Sequence, residues 1–169
     1  MVLRLTGGYG LTYGNSEGEP LPFDKAFFAG GANDIRAWQA RTLGPGSYED
    51  SLNIENGGDI KAEFNVEYRS TIFKILESAV FADLGNVWIR NDRSSELTGA
   101  QFDASRITEQ IAIGAGIGLR FNFTFFILRT DFAIKLQDPA LPGPNRWVYA
   151  NKKFVIGDIV PNLAIGYPF

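Results

Sequence analysis

The sequence predicts an all-β fold: a portion of an antiparallel transmembrane β-barrel with about six strands. Three observations lead to this fold class. Apolar and polar residues alternate in most segments between loops, aromatic residues lie near segment ends, and long polar connections alternate with short ones. Because successive side chains of a strand point to opposite faces, a period of two describes a wall with one apolar and one polar face.

The first predicted strand runs from about Val2 to Tyr13, with leucine and tyrosine side chains on its apolar face. A connection over about residues 14–57 follows. It is rich in Gly, Pro, Asn and Asp and has no sustained periodicity. Loops of this length without secondary structure are usually functional.

The second predicted strand, Ile60–Arg69, has the clearest alternation in the chain. One face carries only apolar residues, and the other carries Lys61, Glu63, Asn65, Glu67 and Arg69. A short connection over 70–75 leads to a third strand at about Glu77–Ile89. That segment is apolar nearly throughout, so the sequence pattern does not tell which of its side chains lie on which face of the sheet.

The fourth and fifth predicted strands alternate clearly on either side of a tight turn near residues 122–125. Long polar loops over 90–108 and 138–152 flank them, and the last strand covers about Val155–Phe169. Expected to face lipid are Ile111, Ile113, Ile117, Leu119, Phe132 and Ile134, and expected to face the interior are Lys61, Glu63, Arg129 and Lys135.

Composition excludes several function classes. The chain has 169 residues, no Cys, no His and a net charge of −3. Without His there is no Ser-His or Cys-His catalysis, and the negative charge argues against nucleic-acid binding. We therefore expect no enzyme activity, no cofactor and no metal site. Loosely bound calcium is the alternative for the acidic loop residues, which we interpret as solvated charges: Glu17, Glu19, Glu49, Asp50 and Glu55.

The predicted strands are too few to close a membrane barrel, since the smallest such barrels have about eight. An open sheet edge in lipid leaves backbone groups unpaired, which costs several kcal/mol for each group. The chain is therefore expected to pair with further strands. No signal peptide opens it, so we interpret it as a piece of a longer precursor.

The long first loop carries the most specific motif. A glycine pair, Gly30-Gly31, precedes Ile35-Arg36-Ala37-Trp38, and Gly44-Pro45-Gly46 follows. This pattern resembles the outer-membrane protein assembly factors, the Bam/Tam-type barrels with periplasmic POTRA domains. Ala37 stands where that family has Gly. The Arg-Thr-Leu-Gly-Pro-Gly continuation resembles the Bacteroidetes-type branch.

The resemblance covers the whole chain, because further family-like segments occur in the expected order: 57–58, 67–68, 81–88, 114–120 and the terminal Phe169. It implies that residues 1–169 form the C-terminal part of a barrel of about sixteen strands. It also implies that the loop over about 14–57 folds back into the barrel lumen.

In the family the loop arginine meets acidic residues on the two following strands. By position these are Glu67 and Asp83, so the resemblance implies a clamp formed by Arg36, Glu67 and Asp83. A guanidinium between two carboxylates makes charge-assisted bonds that fix a loop. Without the resemblance, Arg36 reads as a solvated loop charge.

The end of the chain resembles an outer-membrane sorting signal, in which the last strand finishes on an aromatic residue. The residues that carry it are Leu163, Ile165, Tyr167 and Phe169, which are expected on one face. Pro161 and Pro168 remove backbone donors from this strand, which weakens its pairing and makes it the side of a seam.

The resemblance implies insertion or translocation of other proteins at the bacterial outer membrane. The implied partners are outer-membrane lipid, substrate outer-membrane proteins, accessory assembly proteins, and the other strands and periplasmic domains of the parent chain. The mechanism would be addition of substrate strands at the seam. Three alternatives remain: a small passive barrel of porin or adhesin type, an outer-membrane enzyme, which the absence of His disfavours, and a soluble β-sandwich.

Overall fold

The computed structural model describes residues 1–14, 19–49, 57–90, 97 and 99–167. Six strands form one antiparallel sheet in the order β1-β2-β3-β4-β5-β6. The strands are β1 Val2–Tyr9, β2 Ile60–Phe73, β3 Leu76–Trp88, β4 Ala112–Phe123, β5 Phe126–Gln137 and β6 Val160–Ile165. The predicted all-β antiparallel fold is confirmed.

Long and short connections alternate along the chain. Two-residue turns, at 74–75 and 124–125, join β2 to β3 and β4 to β5. The longer connections carry one short helix, α1 at Ile107–Gln110, and 3-10 turns at Ala104–Arg106, Gly143–Arg146 and Ile156–Asp158. Within the described ranges, no helix is both long and apolar enough to cross a membrane.

One face of the sheet, which we call the inner face, is covered by residues 27–48, which we call the docked loop. Lys61 donates to the carbonyl of Phe28 at 2.7 Å, and the ammonium of Lys135 lies 4.8 Å from the Trp38 ring centroid. Both lysines therefore lie on the inner face, as predicted. Side chains of the opposite, outer face are apolar and exposed, for example Leu3, Leu5, Val80, Ile117, Phe132 and Leu163.

The docked loop joins the sheet through backbone bridges and an apolar core. Phe27 pairs with Gly58 just before β2, and Ala29 pairs with Leu43 to close the loop on itself. Its buried apolar residues pack on small or apolar residues of β3, β4 and β5. This core comprises Ala29, Ile35, Ala37, Trp38, Leu43, Phe81, Val87, Ala112 and Ala133.

Several strand boundaries differ from the sequence prediction. β1 ends at Tyr9, because the next backbone N–H, that of Gly10, donates to Asp59 outside the strand ladder. β2 continues through the expected connection to Phe73, so its turn is tight. Ile111 follows α1 and precedes β4, so it lies outside the strand in which it was predicted to face lipid.

The last strand is much shorter than predicted. Residues 156–158 form a 3-10 turn in which the backbone N–H of Asp158 donates to the carbonyl of Val155. Pairing with β5 begins only at Val160. The expected strand start at Val155 was wrong, since this turn uses the backbone groups that a strand would need.

Tyr167 does not share a face with Leu163 and Ile165, contrary to the prediction. Gly166 has φ +91°, which interrupts the alternation of an extended strand. The Tyr167 ring then lies 4.3 Å from the guanidinium carbon of Arg69, on the inner side. Leu163 and Ile165 stay exposed on the outer face. Phe169 and Pro168 lie outside the described residues.

The sheet has two free edges in the part of the chain that the structure describes. Among the described residues, β1 pairs only with β2 and β6 pairs only with β5. In the described residues, six strands thus form an open wall and not a closed barrel, as the strand count predicted. An open wall in a bilayer needs partners on both edges.

Candidate functional site

Arg36, in the middle of the docked loop, is held by two carboxylates of the inner face. Its Nε and Nη2 donate to the two oxygens of Asp83, each at 2.8 Å. Its Nη1 donates to Oε2 of Glu67 at 2.6 Å, and its backbone N–H donates to Asp83 at 3.1 Å. The structure therefore brings together the three residues of the predicted clamp, with a bidentate pair on Asp83.

Water has little access to these groups. The Arg36 side chain is 1% exposed, and the side chains of Glu67 and Asp83 are 0% exposed. The guanidinium carbon lies 3.4 Å from the ring centroid of Phe81, and Asn65 donates to Asp83 at 3.0 Å. Removal of one partner from such a desolvated pair leaves an uncompensated charge, which is strongly destabilising.

Two further arginines extend the network across β4 and β5. Arg120 donates to the same Oε2 of Glu67 at 2.8 Å and to Oδ1 of Asp131 at 2.6 Å. Arg129 donates to Oδ2 of Asp131 at 3.0 Å. We define the charge cluster as Arg36, Glu67, Asp83, Arg120, Arg129 and Asp131, all of them buried. Three cations face three anions, so the formal charge of the cluster is zero.

Strand register makes room for the cluster. Gly114 of β4 stands opposite Asp83, and Gly118 stands opposite Asp131. A Cβ atom at Gly118 would collide with the carboxylate of Asp131 and the guanidinium of Arg120. The glycines of β4 thus leave space on the inner face for the charged side chains of its neighbours.

Sequence reasoning did not include Arg120, Arg129 and Asp131 in the clamp. Alternation placed all three on the polar face, and that was the available signal. Arg120 bonds to Glu67 two strands away, and Asp131 bonds to Arg120 and Arg129. These contacts depend on strand pairing and register, which period two does not encode. These three residues are additions to the predicted site.

The glycine pair of the loop motif, Gly30-Gly31, lies where the docked loop folds back against residues 38–39. Gly30 has φ +99°, and a Cβ atom there would collide with the carbonyl oxygen of Gln39. The N–H of Gly31 donates to the carbonyl of Trp38 at 2.9 Å. The backbone at 30–31 therefore contacts the backbone at 38–39 directly, which sets the shape of the segment that presents Arg36.

Ala37, which replaces the glycine of the resembled family, fits the loop without a positive φ. Arg41 is the non-glycine residue with positive φ in the described chain. Ala37 is fully buried, and a Cβ atom at Gly114 would lie 2.6 Å from the Ala37 methyl group. The methyl group thus occupies the space that Gly114 leaves open on β4.

The other motif residues fix the two ends of the loop. Ile35 and Trp38 are buried in the apolar core, on either side of Arg36 and Ala37. After them, the N–H of Gly46 donates to the carbonyl of Val87 at 2.7 Å, and Asn86 donates to the carbonyl of Gly46 at 2.8 Å. Gly44 has φ +93°, and Pro45 is buried.

The buried carboxylates of the charge cluster are paired with arginines, whereas Asp59 accepts from the backbone N–H groups of Leu21 and Arg90. No group of three or more His, Cys, Asp or Glu side chains that could hold a metal is found among the described residues. Three of the acidic residues considered for calcium, Glu17, Asp50 and Glu55, lie outside that part of the chain. The charge cluster joins the docked loop to β2 and β3 through Arg36.

Known proteins match both the strands and the docked loop of this chain. The Omp85 superfamily domain matches residues 1–157. The chain belongs to the Omp85 superfamily. The Omp85 match includes the entire docked loop, the charge cluster and every described strand except β6.

A curated relative also matches. The outer membrane protein assembly factor BamA of Neisseria meningitidis serogroup B is 31% identical over 132 aligned residues, which cover 73% of this chain. The match covers 16% of that relative, so this chain spans a small part of its length. This Omp85 chain is a bacterial outer-membrane protein.

Proposed function

We propose that this chain is the C-terminal part of the barrel of a protein insertion or translocation factor, in which the docked loop lies inside the lumen. Membership of the Omp85 superfamily and the assembly function in the relative's name support this proposal. The observation that carries it is the docking of Arg36 on Glu67 and Asp83. The clamp residues would keep the loop against the wall while the sheet edge takes part in assembly.

A passive barrel of porin type fits the inner face less well. A diffusion pore needs a water-filled lumen. Here Asn65, Glu67 and Arg120 are buried beneath the docked loop. A loop that removes polar wall residues from water favours a role in positioning over a role in permeation.

The two free edges support a larger barrel. Because unpaired edges are not tolerated in lipid, β1 would pair with a preceding strand of the parent chain. A barrel of about sixteen strands, as the family resemblance implies, supplies such strands. Residues 1–169 would then be one part of that domain, and periplasmic domains would belong to other parts of the parent chain.

The edge at β6 is the proposed place of substrate addition. It is short, it pairs with one neighbour, and Pro161 lacks a backbone donor. An extended segment of a substrate outer-membrane protein would add here by β-augmentation. Leu163 and Ile165 would face lipid, and Phe169 would complete the sorting signal. Accessory assembly proteins are further proposed partners, and the work involves no bond-making chemistry.

The test compares arginine variants of the complete protein reconstituted in lipid vesicles with an unfolded outer-membrane protein as client. We expect Arg36→Ala to slow the gain of protease resistance by the client by about tenfold or more, because an unbalanced buried charge releases the loop. Arg36→Lys should restore part of the rate, since it keeps the charge and loses the planar fork.

The matched control is Arg106→Ala, which removes a half-exposed arginine that pairs with Glu109 away from the charge cluster. It should insert clients at the unmodified rate. Client insertion at the unmodified rate by a folded Arg36→Ala protein would overturn the proposal. Steady ion conductance without any client insertion by the unmodified protein would identify a passive barrel instead.

A further inference from the structure

The docked loop touches both edge strands of the sheet through two backbone carbonyls that are close in sequence. Arg4 of β1 donates to the carbonyl of Asn33. Nδ2 of Asn162, in β6, donates to the carbonyl of Arg36 at 2.9 Å. Residues 33–36 therefore form a strut across the inner face, with one edge strand at each end.

The strut also contacts the strands between these edges. Arg129 of β5 donates to the side chain of Asn33, and Lys61 of β2 lies 3.2 Å from the carboxylate of Asp34. Arg36 itself uses its N–H and guanidinium on β2 and β3. Its carbonyl points away from those partners and receives the donor from β6, so a single residue links the charge cluster to the edge.

Asn162 is well placed to hold the edge strand. Its inward-facing neighbours in β6 are Val160 and Ala164, which have no polar side chains. The ladder between β6 and β5 covers only the pairs from Ala133–Val160 to Leu128–Ile165. The amide of Asn162 therefore adds a polar tie between β6 and the loop that its inward-facing neighbours cannot make.

We propose that Asn162 is a positioning residue that couples the docked loop to the edge strand β6. When the charge cluster holds Arg36, the Arg36 carbonyl holds Asn162 and keeps β6 paired with β5. Release of β6 removes a partner from the loop, because coupling between two sites is reciprocal. The role of this coupling in substrate addition rests on the proposed function, whereas the coupling itself rests on the contacts of residues 33–36.

The experiment measures both ends of the strut in the complete protein in lipid vesicles without client. Amide hydrogen exchange of residues 160–165 reports the edge, and the rate of trypsin cleavage after Arg41 reports the loop. Asn162→Leu keeps the side-chain size and removes the donor. The same amide also donates to the carbonyl of Val160, within β6, at the longer distance of 3.4 Å. Asn162→Leu should raise both rates by about five- to tenfold, the effect of losing the shorter bond to the Arg36 carbonyl. Asn162→Ala is the second variant if the leucine impairs folding.

A double variant separates coupling from general loosening. Arg36→Ala should raise exchange of residues 160–165 even though it leaves β6 unchanged, and Arg36→Ala with Asn162→Leu should add little more. The control Asn151→Leu, in the exposed loop before β6, should change neither rate. Independent, additive effects of the two variants, or an edge exchange rate that Asn162→Leu and Asn162→Ala leave unchanged, would overturn the inference.

Client insertion is measured separately on the same variants. Coupled rates together with normal client insertion by Arg36→Ala would reject the proposed function and leave the coupling intact. Impaired insertion by Arg36→Ala together with uncoupled rates would reject the coupling and leave the proposed function intact. The proposed function and the coupling between the docked loop and β6 are therefore contradicted by different results.

Discussion

The inner and outer faces of β4 and β5 differ in the burial of their side chains and in the polar partners that these side chains have. On the inner face Arg120 and Asp131 bond to each other and to named partners at hydrogen-bond distances, and both are buried. On the outer face Ile117 is 61% exposed and Phe132 is 44% exposed, without any polar partner. These pairs of residues alternate along the same two strands.

The inner face of this wall constrains its side chains more narrowly than the outer face does. An outer side chain has only to be apolar, because lipid adapts to its shape. An inner side chain must have a given charge, length and position, because each buried charge depends on its counter-charge. Substitutions of similar size should therefore have unequal effects on the two faces.

The largest effect is expected from Asp83→Ala, which removes the acceptor of three donors on Arg36. The charge cluster would keep three cations and two anions. We expect a loss of about 3–5 kcal/mol in the free energy of unfolding, measured by urea unfolding in vesicles, as for other broken buried pairs. Leu84→Ala, the next residue on the outer face, is the control and should cost much less.

Equal losses for the two variants would remove the distinction between the faces. A loop that stays resistant to protease in Asp83→Ala would show that the apolar core of the loop suffices for docking. Either result would indicate that apolar packing, and not charge pairing, makes the main contribution to the stability of the docked loop.

An intermediate effect is expected where the docked loop meets β4 without charges. Gly114→Ala places a methyl group 2.6 Å from that of Ala37 and should cost about 1–3 kcal/mol through overpacking. Ala37→Gly in the same chain removes the clash and should restore most of that stability and the protease resistance of the loop. A failure of the second change to rescue the first would mean that the loop does not rest on Gly114.

The smallest effect is expected on the outer face. Ile117→Leu keeps an apolar side chain in lipid and should change the free energy of unfolding by less than about 0.5 kcal/mol. Thermal unfolding in detergent and in vesicles would measure it. A loss of unfolding free energy near that of Gly114→Ala would indicate that Ile117 packs against a specific neighbour. The two faces would then differ less in their sensitivity to substitution.

The faces of most strands were predictable because alternation is a local signal. Lys61 and Arg129 point inward and Ile117 points outward for reasons present in their own segments. β3 was different, because apolar residues occupy both of its faces. Val87 packs under the loop and Trp88 packs against Phe102, so neither face of that end is polar.

The site was predictable only in part, because its contacts join distant segments. The grouping of Arg36 with Glu67 and Asp83 came from family resemblance, and local pattern alone treats Arg36 as a solvated charge. Three arginines bond to Glu67: Arg36 and Arg120 at Oε2, and Arg69 at Oε1. Arg36 and Arg120 come from other segments of the chain, and a local pattern does not reveal that they meet at Glu67. Tyr167 was placed on the wrong face because one glycine, Gly166, changes the direction of the strand end.

The strut also has a consequence for the order of folding. Asn162 and Arg36 are separated by 126 positions along the chain, and Arg129 and Asn33 by 96. Contacts of such high sequence separation form late, because the closure of long chain loops must come first. In the folded structure the contact between Asn162 and Arg36 is present together with the pairing of β6 and β5. We therefore expect residues 33–36 to complete their docking only after β6 has joined the sheet.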